Sequence, residues 1–226
     1  MDPEDSEPRL LTHLAGVDPT TVPRILGLEA DATPPAVAFW ATALRETFEE
    51  TGVLLARTVE GHKESSVVGA GDGRPRKTGG LANPGDAASL RARILDGETT
   101  FLEILKDQGL VLDAGALTYM GHWVTPVCEP RRYDTRFFAA RIPEGESVVL
   151  NEAEMSEALW LTPADALERN LEGSLPLVFP TLRTLEELTS FATVEEALQA
   201  WGTRPVPRHL PRLVETDEGI GIELEE

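Results

Sequence analysis

From Ala38 to Thr51 the apolar positions recur at helical spacing: Trp40, Ala43, Leu44, Thr47 and Thr51 form one stripe, widened by Phe39 and Phe48. Gly52 ends this helix, and Val53, Leu54 and Leu55 read as the start of a buried strand. Upstream, Leu10–Ala15 and Val22–Leu28 predict short helical pieces, Thr33 stands ahead of Pro34 and Pro35 as a cap, and no strand is expected before the main helix. Downstream, Arg57–Pro84 is polar, rich in glycine and without periodicity, so it reads as a long loop. Helices follow at Ala87–Leu95, capped by Asp86, and through Phe101, Ile104 and Leu105 to Gly109, capped by Thr99. Strands are predicted at Leu117–Val124, Arg136–Ile142, Val148–Leu150 and Glu157–Leu161, the last with Trp160 packed inside. Three more helices, Ala164–Leu171 opened by Pro163, Thr181–Leu188 and Thr193–Trp201, precede a proline-rich run, Arg204–Arg212, that suits an extended arm. The succession implies an α/β fold: a mixed β-sheet flanked by helices, with added helices in the middle and at the C-terminus. No repeat or linker divides it, so 1–213 reads as one domain and 214–226 as an acidic tail.

With 226 residues and 41% hydrophobic content, the chain can build one substantial core. No run is long enough to cross a bilayer, so no membrane partner is expected, and the start Met-Asp-Pro-Glu-Asp-Ser-Glu lacks the basic and apolar pattern of a secretory signal. The single cysteine, Cys128, excludes an internal disulfide framework and makes a cytoplasmic location the simplest reading. His13, His62, His122 and His209 show no metal-ligand spacing. A formal net charge of −19 works against nucleic acid as a partner, since a phosphate backbone would be repelled over most of the surface. It does not exclude a small polyphosphate met by metal ions and a local arginine cluster.

The charge is organised on the main helix. Glu46, Glu49 and Glu50, at i, i+3 and i+4, crowd three carboxylates onto one patch at the C-terminal end, where the helix dipole disfavours negative charge. Arg45 reaches Glu49 across one turn but cannot neutralise all three. A solvated acidic face is one reading. A hard divalent cation is the other, and oxygen-only ligands suit Mg²⁺ or Mn²⁺ better than Zn²⁺.

The string Arg45-Glu-Thr-Phe-Glu-Glu-Thr-Gly-Val53 resembles the core of the Nudix hydrolase signature, whose fuller form is Gly, five residues, Glu, seven residues, then Arg-Glu-aliphatic-x-Glu-Glu-x-Gly-aliphatic. Thr47 stands at the aliphatic position, Val37 at the upstream Glu and Asp31 at the upstream Gly. His122-Trp-Val-Thr-Pro and Pro130-Arg-Arg-Tyr-Asp-Thr-Arg-Phe-Phe138 are similar to a block of the coenzyme A diphosphatase branch of that superfamily. In that branch a helical insertion separates a Gly-Gly loop from the Arg-Glu helix, which accounts for the spacing at Asp31 and Val37. Met1-Asp-Pro-Glu-Asp is similar to the residues just after the Gly-Gly in that branch, so the expectation is a domain incomplete at its N-terminus, lacking the first strand and the Gly-Gly loop. A second copy of the chain, in a homodimer, is another way to cover that edge.

The resemblance implies a Nudix-type α/β/α sandwich and a metal-dependent hydrolase of a small-molecule diphosphate. Glu50 and Glu46 are then the first metal ligands, Glu49 the third, one glutamate takes a proton from water, and Arg45 orients Glu49. A later acid, Glu154 or Glu157, is expected to join the metal site. Arg131, Arg132 and Arg136 are candidates for binding substrate phosphate, with ion pairs to the abundant acids as the alternative. Trp123, Phe137 and Phe138 are candidate channel aromatics, although strand alternation makes half of them core. Gly69–Gly73 looks like a phosphate loop only superficially, lacking the flanking strand and helix and the Gly-Lys-Ser/Thr ending. Three classes of function stand open: a coenzyme A or acyl-coenzyme A diphosphatase, a nucleotide-sugar, ADP-ribose or dinucleotide diphosphatase, and a non-catalytic Nudix-like binding protein.

Overall fold

The main helix is the centre of the first of two units in the computed structural model, which describes residues 1, 3–58, 86–143, 148–151, 155–216 and 219–224. The unit comprises Met1–Leu117 and Ala140–Ala158. Its elements are a 3₁₀ turn (Pro3–Ser6), α1 (Pro8–Leu11), β1 (Leu14–Ala15), α2 (Val22–Leu26), α3 (Ala38–Thr51), β2 (Ala56–Thr58), α4 (Ala87–Leu95), α5 (Phe101–Asp107) and β3 (Leu110–Asp113). The buried side of α3 carries Ala38, Trp40, Ala41, Leu44, Arg45 and Phe48. That face is rotated from the predicted stripe: Thr47 and Thr51 are only half-buried and turn their hydroxyls back to Ala43 O and Thr47 O. Phe48 stacks on Phe101 of α5 with ring centroids 5.7 Å apart.

Gly52 stops α3 in the left-handed conformation, φ +74°, with its N–H on Phe48 O at 2.8 Å. A Cβ there would also meet the Ala87 methyl at 3.3 Å and Val149 O at 3.4 Å, so glycine is required both by backbone and by space.

The sheet of this unit is mixed, in the order β1-β3-β2, with β1 parallel and β2 antiparallel to β3. Two expectations change here. Leu14–Ala15 is a strand, not helix, because its hydrogen bonds go sideways to β3, beginning with Leu112 N to His13 O at 2.7 Å, so a strand does precede α3. The central strand β3, buried at all four positions, escaped prediction because a short uniformly apolar run has no period to read. Val53–Leu55 are buried as expected, the regular strand starting at Ala56 and Leu55 O accepting from Asp113 N at 3.0 Å. α3 starts at Ala38 with Val37 in the cap position, so Thr33 does not cap it. α5 is capped by Thr100 rather than Thr99, through a reciprocal capping box with Glu103. Asp86 makes no side-chain capping bond to α4.

The second unit comprises Thr118–Ala139 and Leu159–Glu226. Its sheet, in the order β5-β4-β6, is built from β4 (Leu117–Val124), β5 (Asp134–Ala140) and β6 (Arg208–His209), the last parallel to β4 and formed inside the proline-rich run read as an arm. The helices α6 (Pro163–Leu171), α7 (Phe179–Leu188) and α8 (Val194–Thr203) match prediction closely. The segment read as an acidic tail contributes to an antiparallel hairpin of β7 (Arg212–Thr216) and β8 (Gly219–Glu223). The strands predicted at Val148–Leu150 and Glu157–Leu161 are absent. The first sends the Val149 N–H to Thr51 O at the end of α3 and accepts from Arg91 of α4 instead, and the second finds no ladder partner among the described residues, leaving Trp160 76% exposed rather than packed inside. Most of the predicted Arg57–Pro84 loop, with Gly69–Gly73 and His62, lies outside the described residues, as does Glu154.

Candidate active site

The last two turns of α3 bring the predicted acidic cluster together around one guanidinium. Arg45 is 5% exposed and makes a two-point contact with Asp5, Nε to Oδ1 at 2.7 Å and Nη2 to Oδ2 at 3.0 Å. Its Nη1 donates to Glu49 Oε2, as the i, i+4 spacing predicts, and its Nη2 lies 3.5 Å from Glu46 Oε1. Asp5 is fully buried on the turn Pro3–Ser6, and Thr42 Oγ1 donates to its Oδ2 at 2.9 Å. Sequence reading missed Asp5, 40 positions away from Arg45. Two signals bore on it: Asp5 ends the string Met1-Asp-Pro-Glu-Asp that resembles the family, and the motif's upstream acidic position is held by Val37, which leaves the carboxylate facing Arg45 to another part of the chain.

Arg91, 6% exposed on α4, is the second residue missed. Its Nη1 donates to Val149 O and lies 3.4 Å from both Glu49 O and Glu50 O, and its Nη2 donates to Leu150 O at 3.2 Å. Burial lowers its pKa below the usual arginine value. The countercharge demanded by acids at a helix C-terminus is thus split between Arg45 beside them and Arg91 beneath them.

Glu46 is exposed, and Glu49 and Glu50 are half-buried. Among the described residues no three His, Cys, Asp or Glu side chains are gathered to hold an ion as they stand, because Glu49 and Glu46 are turned toward Arg45. The donor chemistry nonetheless fits a hard divalent ion: three carboxylates within one helical turn, with no nitrogen or sulfur donor on that face. Of the two later acids, Glu157 is exposed, and its segment leaves the helix end at Asn151, whose N–H donates to Glu50 O at 2.9 Å.

The arginine block lies in the second unit. Loop 125–133 closes on itself through Thr125 N to Tyr133 O and Tyr133 N to Thr125 Oγ1, both 2.9 Å. Arg132 Nε donates to Thr125 O at 3.2 Å, and Arg131 sits over the Tyr133 ring, 5.8 Å from its centroid. Arg131 and Arg132 are exposed. For Arg136 the ion-pair alternative holds: Nη1 donates to Asp134 Oδ1 at 2.8 Å, and the side chain is largely buried. The same Asp134 oxygen meets His122 Nε2 at 2.7 Å. Trp123 packs in this unit, stacked on His209 at 4.5 Å and edge-on to Phe179 at 5.8 Å, while Phe138 pairs with Tyr119 at 5.5 Å.

Burial holds the His122 pKa below its usual value, with the Asp134 hydrogen bond opposing, and burial followed by the neighbouring His122 does the same to His209. A depressed folded pKa means that the unfolded chain binds protons more readily, so stability is full above about pH 6.5 and declines as pH falls through the folded values. Thermal melts should therefore show wild type losing more stability than His122→Gln between about pH 7.5 and about pH 5.5. Equal losses would mean that the imidazole is not the acid-sensitive group.

A mixed sheet beside a glycine-stopped helix that carries Arg-Glu-x-x-Glu-Glu-x-Gly, its arginine pinned by a buried carboxylate, is the arrangement of a Nudix hydrolase. The chain belongs to that superfamily and, within it, to the NUDT19 Nudix domain family, which matches residues 19–188. It is 31% identical over 180 residues to the acyl-coenzyme A diphosphatase NUDT19 of Gallus gallus, covering 72% of this chain and 43% of the relative. With the acyl-coenzyme A diphosphatase NUDT19 of Homo sapiens it shares 32% identity over 167 residues, covering 72% and 42%. The chain therefore spans less than half the length of these relatives. Among solved structures, the NUDIX hydrolase from Alicyclobacillus acidocaldarius superposes with a TM-score of 0.58 at 29% identity, covering 90% of this chain and 79% of that one. The family match contains the Arg45–Val53 and His122–Phe138 blocks; Asp5 lies ahead of it. No helix of the described residues is long and apolar enough to cross a membrane.

Proposed function

We propose that this chain hydrolyses the diphosphate linkage of coenzyme A or an acyl-coenzyme A with the help of divalent metal ions. The observation that carries the reading is the Asp5–Arg45–Glu49 chain of buried and half-buried charge, which pins a set of oxygen ligands at the end of α3. Glu50 and Glu46 would be the first ligands in this reading and Glu49 the third, with its two oxygens shared between Arg45 and the ion. A bound Mg²⁺ or Mn²⁺ supplies charge stabilisation at phosphorus and lowers the pKa of an attacking water. One glutamate accepts the water proton, the new P–O bond forms in line with the bridging oxygen, and the P–O bond to that oxygen breaks. The products are 3′-phosphoadenylate and a phosphopantetheine derivative. Arg45, held by Asp5, cannot follow Glu49 outward, so the acid keeps its bearing.

The substrate class is supported by the relatives' names and by the exposed pair Arg131 and Arg132 on a self-closed loop. Coenzyme A differs from ADP-ribose or a nucleotide sugar by its 3′-phosphate, and a charge-assisted contact to that phosphate contributes about 1.5–3 kcal/mol. Arg132→Ala is accordingly expected to weaken hydrolysis of coenzyme A roughly 10-fold or more while leaving dephospho-coenzyme A little changed. Product assays with both substrates and with ADP-ribose, for wild type and mutant, test this. A wild-type preference for ADP-ribose would move the protein to the nucleotide diphosphatase class, and no hydrolysis of any of the three would favour a binding protein.

A further inference from the structure

We infer that Arg91 is a positioning residue for the metal-binding carboxylates, fixing the last turn of α3 and the segment at 149–151 in one frame; this rests on the proposed metal site. A helix end leaves its final carbonyls without partners inside the helix. Here Glu49 O faces Arg91 Nη1 at 3.4 Å, Glu50 O takes Asn151 N–H at 2.9 Å with Arg91 Nη1 also at 3.4 Å, and Thr51 O takes Val149 N–H at 2.8 Å. The same guanidinium binds the far side of the segment through Val149 O and Leu150 O. Two stretches about 100 positions apart in sequence are thereby joined by one buried cation on a third, α4.

Two of the carbonyls in this frame belong to Glu49 and Glu50 themselves. Where a backbone carbonyl points and where its own Cα–Cβ bond points are set by the same dihedrals, so fraying of this turn would swing both carboxylates away from Glu46. The planar guanidinium spreads its N–H donors in a fixed fork across both segments; a lysine ammonium keeps the charge but gathers its three donors on one atom. Arg91 touches neither water nor phosphate in this role and acts entirely through the ligands.

Mn²⁺ titration of the full chain, followed by the electron-spin resonance of free Mn²⁺, with thermal melts on the same samples, tests the role. Arg91→Met is expected to weaken Mn²⁺ binding roughly 10-fold or more, the scale on which partners of metal ligands act, and Arg91→Lys to restore only part of it. In turnover assays kcat should fall at saturating metal with KM nearly unchanged. Unaltered Mn²⁺ affinity in a folded Arg91→Met, whatever its melting temperature, would overturn the inference by showing a merely structural arginine. If Arg91→Met does not fold, Arg91→Lys decides: wild-type Mn²⁺ affinity and kcat would overturn it equally. Failure of the underlying metal reading is distinct, because then wild type itself binds no Mn²⁺, or Glu50→Gln binds it as tightly as wild type does, and the inference falls with it.

Discussion

Replacing Glu50 by Gln is expected to reduce metal-dependent hydrolysis by roughly 10²-fold or more while the fold survives. The substitution keeps size and hydrogen-bonding capacity but removes the ligand charge. Glu50 is half-buried, and its carbonyl, part of the helix-end frame, is untouched by the change. The loss should therefore appear in kcat and in metal affinity, with circular dichroism and melting temperature near wild type. Glu49→Gln carries a different expectation, because it also removes the charge of an anion bonded to Arg45 and so weakens the negative environment of that buried cation. Its activity loss should be accompanied by a measurable loss of stability. Steady-state assay with a Mg²⁺ and Mn²⁺ series, and with excess chelator, measures both. Full activity of Glu50→Gln, or of wild type in chelator, would remove α3 from the chemistry.

The second large effect is on stability, at Asp5. Arg45 and Asp5 are 5% and 0% exposed and joined by two hydrogen bonds, so Asp5→Ala strands a buried cation. Breaking one side of such a pair costs about 3–5 kcal/mol, which at this chain length corresponds to a fall in melting temperature on the order of 10 °C. Glu49 partly compensates by remaining on Arg45, which places the expected value toward the lower end of that range. Thr42 also loses the acceptor of its hydroxyl at 2.9 Å but retains Ala38 O at the same distance, so little is added from that side. The double replacement Asp5→Leu with Arg45→Met removes both charges together and should recover a good part of the stability, as apolar substitutes for buried ion pairs often do. It should not recover activity, because Glu49 then has no cation to orient it. Melting curves and turnover for the single and double variants separate the two roles. A single Asp5→Ala variant that melts within a degree or two of wild type would show that the pair is not closed in solution.

Much of the site is legible along the chain because it is local. Glu46, Glu49, Glu50 and Arg45 share one helix, and the 3.6-residue period alone places them together; Gly52 stops the helix because only glycine takes the left-handed cap without strain. The helices α6, α7 and α8 were readable for the same reason, two of them with hydroxyl caps at Thr162 and Thr193. The Nudix class follows from that local string, and the family match agrees with it.

Tertiary structure alone decided what meets the string from far away. Nothing in a periodicity marks the pairing of Asp5 with Arg45, 40 positions away, or of the Arg91 guanidinium with carbonyls up to 59 positions from it. The same limit explains the strands. Val148–Leu150 has apolar character that fits a ladder, but the open carbonyls of α3 were nearer partners for its backbone, while Leu14–Ala15 became a strand because β3 offered it an edge. Trp160, apolar by type, stands exposed because burial depends on which surface arrives beside it, which a run of side chains does not encode by itself. Local pattern determined the chemistry that α3 carries; the carboxylate beneath its arginine and the cation beneath its last turn were set by long-range hydrogen bonding, since buried charges and helix-end carbonyls must be satisfied by whatever the folded chain brings within reach.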